Sequence, residues 1–498
     1  MDAVLAGFSA LADPQILFLV VAGTLVGIIV GALPGISGST TTALLLPLTI
    51  TMSPNAAIAF LGSIYCAANF GGSITAILIN TPGDPSASAT AFDGYPLAKR
   101  GEAGRALGMS AVASAIGGIF SVIVLIVAAP LLARLAYQFG PPEYFALALF
   151  GLSMVAAVGG DSPVKNLMAG ASGVLLATVG LDLTTGIERF TFDVPALSDG
   201  LDFIPVLIGL FAIAELFERA AQRGVVQEYI KLVAVKLPTL ADFRKCAKAI
   251  SLSSVVGTFI GVLPALGATT AALICYNETR RWSKHREEFG KGAIEGVAGP
   301  EAANNAAVGG AMVPTLALGI PGSTTTAIIL AGLLVQGVRP GPHLFNEQPT
   351  LLYVVFGSMF AANLLYLVLG LGAAKIFARI ALIPDAFLWP SVFILSVVGA
   401  YAPKQSMEDV IIMLLFGVVG FLFRRYGFSP APLIMGLVLG KMVEETLKQS
   451  LLIFDHDWLM FFSRPVVVVL FAITAAGLAA PLIARAWRRL TRVPGKAA

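Results

Sequence analysis

Charge is what this sequence has least of. Only 12% of its 498 residues are Asp, Glu, Lys or Arg, against 57% that are hydrophobic. Soluble proteins carry about 25% charged residues, and a chain of this length would need them to coat several water-facing domains. That class is excluded. Long apolar runs with few charges suit a bilayer, because about 20 apolar residues cross its hydrocarbon core, and mean hydropathy is +0.86. A net charge of +3 offers no basic surface to nucleic acid. Cys66, Cys246 and Cys275 are scattered without metal-ligand spacing and read as buried bystanders. His285, His343 and His456 fall in expected loops and make neither an HExxH pattern nor a metal cluster. There is no GxxxxGK[ST] phosphate loop, no GxGxxG after a strand, and no Ser/Lys or paired-Asp arrangement of an intramembrane protease. Neither an enzyme nor a resident cofactor is expected. No Lys or Arg precedes the first apolar run, so that run reads as a retained helix rather than a cleaved signal.

Interruptions by Gly and Pro divide the apolar sequence into runs near Ile16–Val30, Ala57–Ile79, Ala106–Leu132, Tyr144–Val158, Asn166–Val179 and Phe203–Phe217. A second set lies near Ile250–Leu263, Ala303–Leu318, Leu351–Ile376, Ala386–Val398, Asp409–Phe423 and Pro432–Val443, with a last run at Pro465–Ala484. The fold class expected is an all-α integral membrane protein of about 12–14 transmembrane segments, some of them broken or re-entrant.

The two sets repeat each other. GALPGISGSTT from Gly31 recurs as GVLPALGATT from Gly261, and GGSITAILINTPGD from Gly71 recurs as GGAMVPTLALGIPGS from Gly309. PVLIGL from Pro205, running to Glu218, resembles PLIMGL from Pro432, running to Glu445. Residues 1–219 thus read as a first repeat and 249–446 as a second. Between them, 220–248 reads as a basic cytoplasmic linker. Residues 447–498 read as an extracytoplasmic loop, a final transmembrane helix and a basic cytoplasmic tail (Arg485, Arg488, Arg489, Arg492, Lys496).

Cytoplasmic loops are enriched in Lys and Arg, and corresponding loops here carry opposite bias. Thr51–Asn55 has no charge where Arg280–Arg286 is strongly basic. Lys99, Arg100 and Arg105 stand against Arg339 alone, and the acidic loop with Asp182, Glu188 and Asp193 stands against Arg424 and Arg425. The reading is two inverted-topology repeats, with a periplasmic N-terminus and a cytoplasmic C-terminus.

Inverted repeats with broken helices are a transporter design, in which unwound backbone near the midplane lines a ligand cavity. Four stretches break the helical pattern, at 33–42, 80–86, 263–270 and 319–326, and each joins Gly or Pro to Ser or Thr at the next helix's first turn. Hydroxyl caps and free N–H groups favour carboxylates. The candidate substrate-binding residues are Ser37, Gly38, Ser39, Thr40 and Thr41; Thr81, Pro82, Gly83 and Ser86; Thr269 and Thr270; and Pro321, Gly322, Ser323, Thr324 and Thr325. Asp84, Asn69, Asn304 and Asn305 are candidates for ion coupling, because polar groups inside apolar runs are expensive. Asp84 reads equally as an N-cap for the helix that follows it. Glu215, Glu218, Glu444 and Glu445 fall at helix ends and read as solvated or paired. An anion channel on the same broken helices is the alternative, although two-fold pseudo-repeats suit a closed midplane site better.

GALPGISGSTTT (31–42), NTPGDPSASATAFDGYP (80–96) with KRGEAG (99–104), and GPEAANNA (299–306) leading into PGSTTT (321–326) resemble the large membrane subunit of the tripartite tricarboxylate transporter family. The likeness runs from about Leu17 to Lys448. It implies a small membrane subunit of about four helices, a periplasmic substrate-binding protein, and import of tricarboxylates or related organic acids driven by Na⁺ or H⁺. It also implies a bacterial inner membrane. The repeat departs from itself at one acid: Asp84 of the first half has Ser323 as its counterpart.

Overall fold

The computed structural model describes residues 2–158, 162–182, 185–221, 237–264, 266–372, 376 and 385–490. Along the first half run α1 (Asp2–Leu11), α2 (Pro14–Gly31), α3 (Gly38–Leu45), α4 (Pro54–Ile79), α5 (Ser88–Leu97), α6 (Ala103–Ala136), α7 (Pro141–Val158) and α8 (Pro163–Ala177). Then come α9 (Phe203–Ile208) and α10 (Ala214–Ala221), joined by a wider π turn. The second half holds α11 (Leu240–Val262), α12 (Gly267–Trp282), α13 (Glu295–Leu318), α14 (Thr324–Val335), α15 (Leu344–Glu347), α16 (Pro349–Gly372), α17 (Asp385–Tyr401), α18 (Met407–Arg425) and α19 (Pro430–Ile453), followed by α20 (Pro465–Leu490). The only strands among the described residues are Gly180–Leu181 and Glu188–Arg189, paired antiparallel. Five helical stretches are long and apolar enough to span a bilayer: Pro14–Gly31, Pro54–Ile79, Pro85–Ala136, Leu240–Val262 and Pro349–Gly372. The chain is an all-α membrane protein.

One boundary differs from the sequence reading. Most of the expected linker, residues 222–236, lies outside the described residues, as do Arg492 and Lys496 of the basic tail. The helix of the second half, however, begins inside the linker at Leu240, behind a capping box of Thr239 and Asp242. Charge misled here, because Arg244 and Lys248 are exposed on α11 while Asp242, Cys246, Ala249 and Ser253 are buried at helical spacing.

Two compact units form, and neither is a sequence half. One comprises Met1–Tyr137 with Asp202–Phe421, the other Gln138–Leu201 with Leu422–Ala498. In the first unit the repeats build equivalent helix pairs on small residues. A methyl added at Gly27 of α2 would lie 2.8 Å from the Ala67 methyl of α4, and one at Gly31 would lie 3.0 Å from the Ala68 Cα. On α11, methyls at Gly257 and Gly261 would lie 2.7 and 2.8 Å from the Cα atoms of Ala303 and Ala307 on α13.

The third repeat motif packs reciprocally. Gly209, beside α9, sits against Gly417 of α18, a second-half helix. Its equivalent, Gly436 of α19, sits against Val174 of α8, a first-half helix, and both of these lie within the second unit.

Candidate functional site

All four expected interruptions end one helix and start another, and their chemistry differs. Between α2 and α3, Ser37 is the N-cap: its Oγ accepts from the Thr40 N–H at 3.2 Å and lies 2.8 and 2.9 Å from the hydroxyls of Ser39 and Thr40. Thr41 turns its hydroxyl back onto the Ser37 carbonyl. After α4, Asn80 takes the left-handed conformation (φ 54°), and Gly319 after α13 does the same (φ 71°). Each loop then folds back on the helix it has just left. Gly83 N–H donates to the Gly72 carbonyl at 3.1 Å, and Gly322 N–H donates to Thr315 Oγ1 at 3.2 Å. Ser323 caps α14 through a box with Thr326.

Two breaks depart from the hydroxyl-cap expectation. Asp84, not a hydroxyl, caps the turn Pro85–Ala87, accepting from Ser86 N–H at 2.8 Å. Before α12, Leu266 occupies the cap position and supplies no side-chain acceptor. Thr269 and Thr270 lie half-buried in the first turn of α12.

The breaks are joined within the first unit. Asp84 Oδ2 accepts from Gly38 N–H at 2.7 Å, so the α3 N-terminus already holds a carboxylate oxygen supplied 46 residues away. Tyr65 of α4 hydrogen-bonds Ser323 across the halves at 3.0 Å. The short helix α3 packs on α14, and α12 packs on the Pro85–Ala87 turn and α5. Pro321, Gly322 and Thr325 are buried there, while Thr81, Pro82 and Thr324 are half-buried. Against Gly35 in the first break lies the guanidinium of Arg219, whose Nε donates to Glu215 at 3.2 Å. Arg219 is the last residue of the first repeat, and only folding brings it beside a break.

A polar network runs inward from these breaks. Ser86 donates its hydroxyl to Asn69 Oδ1 at 3.2 Å, and its carbonyl accepts from Asn304 Nδ2 at 3.3 Å. Asn69 Nδ2 is buried without a partner among the described residues. Asn304 also reaches Glu301 Oε1 at 3.4 Å, and Asn305 donates to Asn304 Oδ1 at 2.7 Å. Glu301 is 0% exposed. Its carboxylate accepts from Ser73 (2.5 Å) and Thr90 at Oε1 and from Ser110 (2.9 Å) and Ser114 (2.8 Å) at Oε2. Ser110 and Ser114 share the face of α6 that continues through Gly117, where α6 meets Ala302 of α13.

Beyond Asn305, Tyr366 OH donates to Asn363 Oδ1 at 2.6 Å and lies 3.4 Å from Asn305 Oδ1. Tyr366→Phe should keep the ring stacked on Phe70, 5.3 Å away, yet leave amide oxygens unpaired at a cost of about 1–3 kcal/mol. A lowered thermal midpoint in detergent checks this; an unchanged one removes the hydroxyl from the network's support.

The second unit holds a separate cavity of ≈ 270 Å³ lined by Asp182, Arg189, Lys441, Glu444 and Lys448 among others. Arg189 grips Glu444 with two nitrogens (2.5 and 3.2 Å), and Lys448 bridges Asp182 and Glu444, each at 2.7 Å. In the first unit, Glu215 pairs with Arg219. His285, Glu287 and Glu288 do come together, with ligand atoms within 4.8 Å of one another. They face solvent, and Lys245 already takes Glu288.

Residues 17–435 match the model of the tripartite tricarboxylate transporter TctA family. The chain is 39% identical over 478 residues, 96% of its length and 95% of the relative's, to an uncharacterized 52.8 kDa protein of the TAR-I ttuC' 3' region of Agrobacterium vitis. It is 37% identical over 214 residues to an uncharacterized protein of the TAR-II ttuC' 3' region of the same organism; the match covers 43% of this chain and 88% of that one. No solved structure matches it. With the family model covering most of its length, this chain belongs to the tripartite tricarboxylate transporter TctA family.

Proposed function

We propose that this chain is the translocating subunit of a binding-protein-dependent importer of tricarboxylates or related organic acids, driven by an ion gradient. The observation that carries the proposal is the carboxylate already seated on the α3 N-terminus, in the break that also holds the Ser37, Ser39 and Thr40 hydroxyls and that Arg219 approaches at Gly35. Helix N-termini and hydroxyls favour carboxylates, and unwound backbone is tolerated in a membrane where it lines a cavity. A substrate carboxylate would meet the same chemistry at the paired tips: 37–41 with 321–325, and 81–86 with 269–270. Asp84, Asn69, Asn304 and Asn305 would tie those tips to the coupling ion. The inverted relation of the halves, a bacterial inner membrane, a periplasmic N-terminus, and a small membrane subunit and periplasmic binding protein as partners belong to the same proposal.

Reconstituted with both partners, the protein should take up labelled tri- or dicarboxylates (citrate, tricarballylate, succinate and malate as a panel) saturably and only with its binding protein. Ser37→Ala with Ser39→Ala should raise KM about tenfold, the loss of one to two hydroxyl hydrogen bonds. Unsaturable flux independent of the binding protein would point to a channel and overturn the proposal.

A further inference from the structure

Three of the buried carboxylates of the first unit, Asp84, Asp93 and Glu301, accept from neutral donors alone among the described residues. Asp84 has backbone N–H groups on both oxygens, Gly38 on Oδ2 and Ser86 on Oδ1. Backbone N–H groups cannot reverse, so neither of these two partners could accept from an O–H on Asp84. Asp93 has the Gly292 and Ala293 N–H groups on Oδ1, at 2.8 Å each, and the Tyr276 hydroxyl on Oδ2 at 2.9 Å. Fixed donors thus hold it on one oxygen.

Glu301 differs in kind. Its donors are four hydroxyls and one side-chain amide, and each hydroxyl both donates and accepts. Ser73 Oγ lies 2.5 Å from Glu301 Oε1 and also within 3.5 Å of the Asn69 carbonyl. A proton arriving on Oε1 forms an O–H bond that donates to Ser73 Oγ. The Ser73 hydrogen then swings to the Asn69 carbonyl. No heavy atom moves, no donor is left facing a donor, and the side chain passes from anion to neutral acid. The reverse rotation releases the proton.

We infer that Glu301 is the group that carries the coupling proton through the transport cycle, an inference that rests on the transporter reading above. A buried acid in a membrane interior, with no cation bonded to it among the described residues, is costly to ionise and calls for a function. Here the route to the substrate tips is continuous. Glu301 bonds Asn304, Asn304 bonds Ser86, and Ser86 is capped by Asp84, which holds the α3 N-terminus. Protonation therefore changes the acceptor on which the Asn304 amide is shared, and so the anchoring of the Ser86 turn.

The other ionisable groups on the surrounding helices have roles of their own. Tyr366 of α16 serves Asn363, and Tyr65 of α4 serves Ser323; Cys66 lies beside Tyr65. Arg105 of α6 is held by Glu102 and by Asp242 of α11. Glu295, at the start of α13, takes Ser283 Oγ at 2.7 Å. Cys246 of α11 and Cys275 of α12 are buried thiols, α14 carries no ionisable side chain, and Glu347 of α15 is exposed.

The test uses the complete three-part system in proteoliposomes, with Glu301→Gln and Ser73→Ala. Glu301→Gln should cut accumulation driven by a pH gradient at least tenfold, while exchange of internal for external carboxylate persists and loses its pH dependence. Ser73→Ala should shift the pH profile with the maximal exchange rate held within about twofold. Infrared difference spectra of the purified complex between acid and alkaline pH should show a carboxylic-acid carbonyl band that Glu301→Gln removes. This readout needs no substrate. If wild type transports nothing from the panel yet the band is lost in the variant, the transporter reading fails and the proton site stands. If wild type transports and Glu301→Gln keeps its pH-driven accumulation and its band, the proton assignment is overturned. It is overturned equally if the variant changes a Na⁺ dependence instead.

Discussion

Gly83→Val is expected to abolish carboxylate uptake. Gly83 is wedged between two other glycines: the Cβ it lacks would collide with the Gly31 carbonyl oxygen and stand 3.1 Å from the Gly72 Cα. Both neighbours are backbone on packed helices, so no flexible side chain can give way. Its own N–H is bonded to the Gly72 carbonyl, which fixes the loop at that separation. Overpacking a core costs about 1–3 kcal/mol, occasionally more. A clash against backbone belongs at the upper end, where about 3 kcal/mol shifts the docked loop population more than a hundredfold. The next residue is Asp84, so a displaced loop also withdraws the carboxylate from α3. Gly83→Ala should give a graded version of the same loss. Gly477→Ala, in open space on α20, should stay within about 0.5 kcal/mol of wild type. Uptake and thermal stability measured together check this; wild-type values for Gly83→Val would mean that the loop is not docked against α2.

The same wedge shows what sequence could and could not disclose. Pro-Gly pairs at 34–35, 82–83 and 321–322 announce that helix stops there, because proline removes a donor and the residue before it leaves the α region. All three stop helices. The family was legible too, since NTPGDPSASATAFDGYP is long and distinctive. Partners were not. Glu301 meets Ser73, Thr90, Ser110 and Ser114 from three helices, across 187–228 residues of chain, and nothing in GPEAANNA ranks its acid above its two asparagines.

A repeat signals which segments are equivalent without saying what each packs on. The exchange of Gly209 onto α18 and of Gly436 onto α8 was therefore invisible, and the compact units cut across the halves. The start of α11 at Leu240 was not legible, because Arg244 and Lys248 look the same in a linker and on the wet face of a helix.

Asp84→Ala is the second large effect expected: a fall in uptake of at least thirtyfold. One carboxylate joins two breaks, taking Gly38 N–H at 2.7 Å and Ser86 N–H at 2.8 Å. Hydrogen bonds to a charged group contribute about 1.5–3 kcal/mol each, and alanine removes both while leaving two buried N–H groups without acceptors. Asp84→Asn matches the shape but offers one acceptor and one donor to two donors. It should keep one bond, create a donor–donor contact, and recover little. That failure of the isostere separates a cap from a proton carrier, since a carrier's neutral amide would mimic its protonated form and hold the site in one working state. If Asp84 is the cap, the residual uptake of Asp84→Asn keeps the wild-type pH profile, because Glu301 still titrates. Should Asp84→Asn instead exchange substrate at full rate with no pH dependence, while Glu301→Gln stays pH-driven, the two acids have the opposite roles. The geometry argues against that exchange: the two N–H groups on Asp84 can only donate, whereas the hydroxyls around Glu301 can donate or accept.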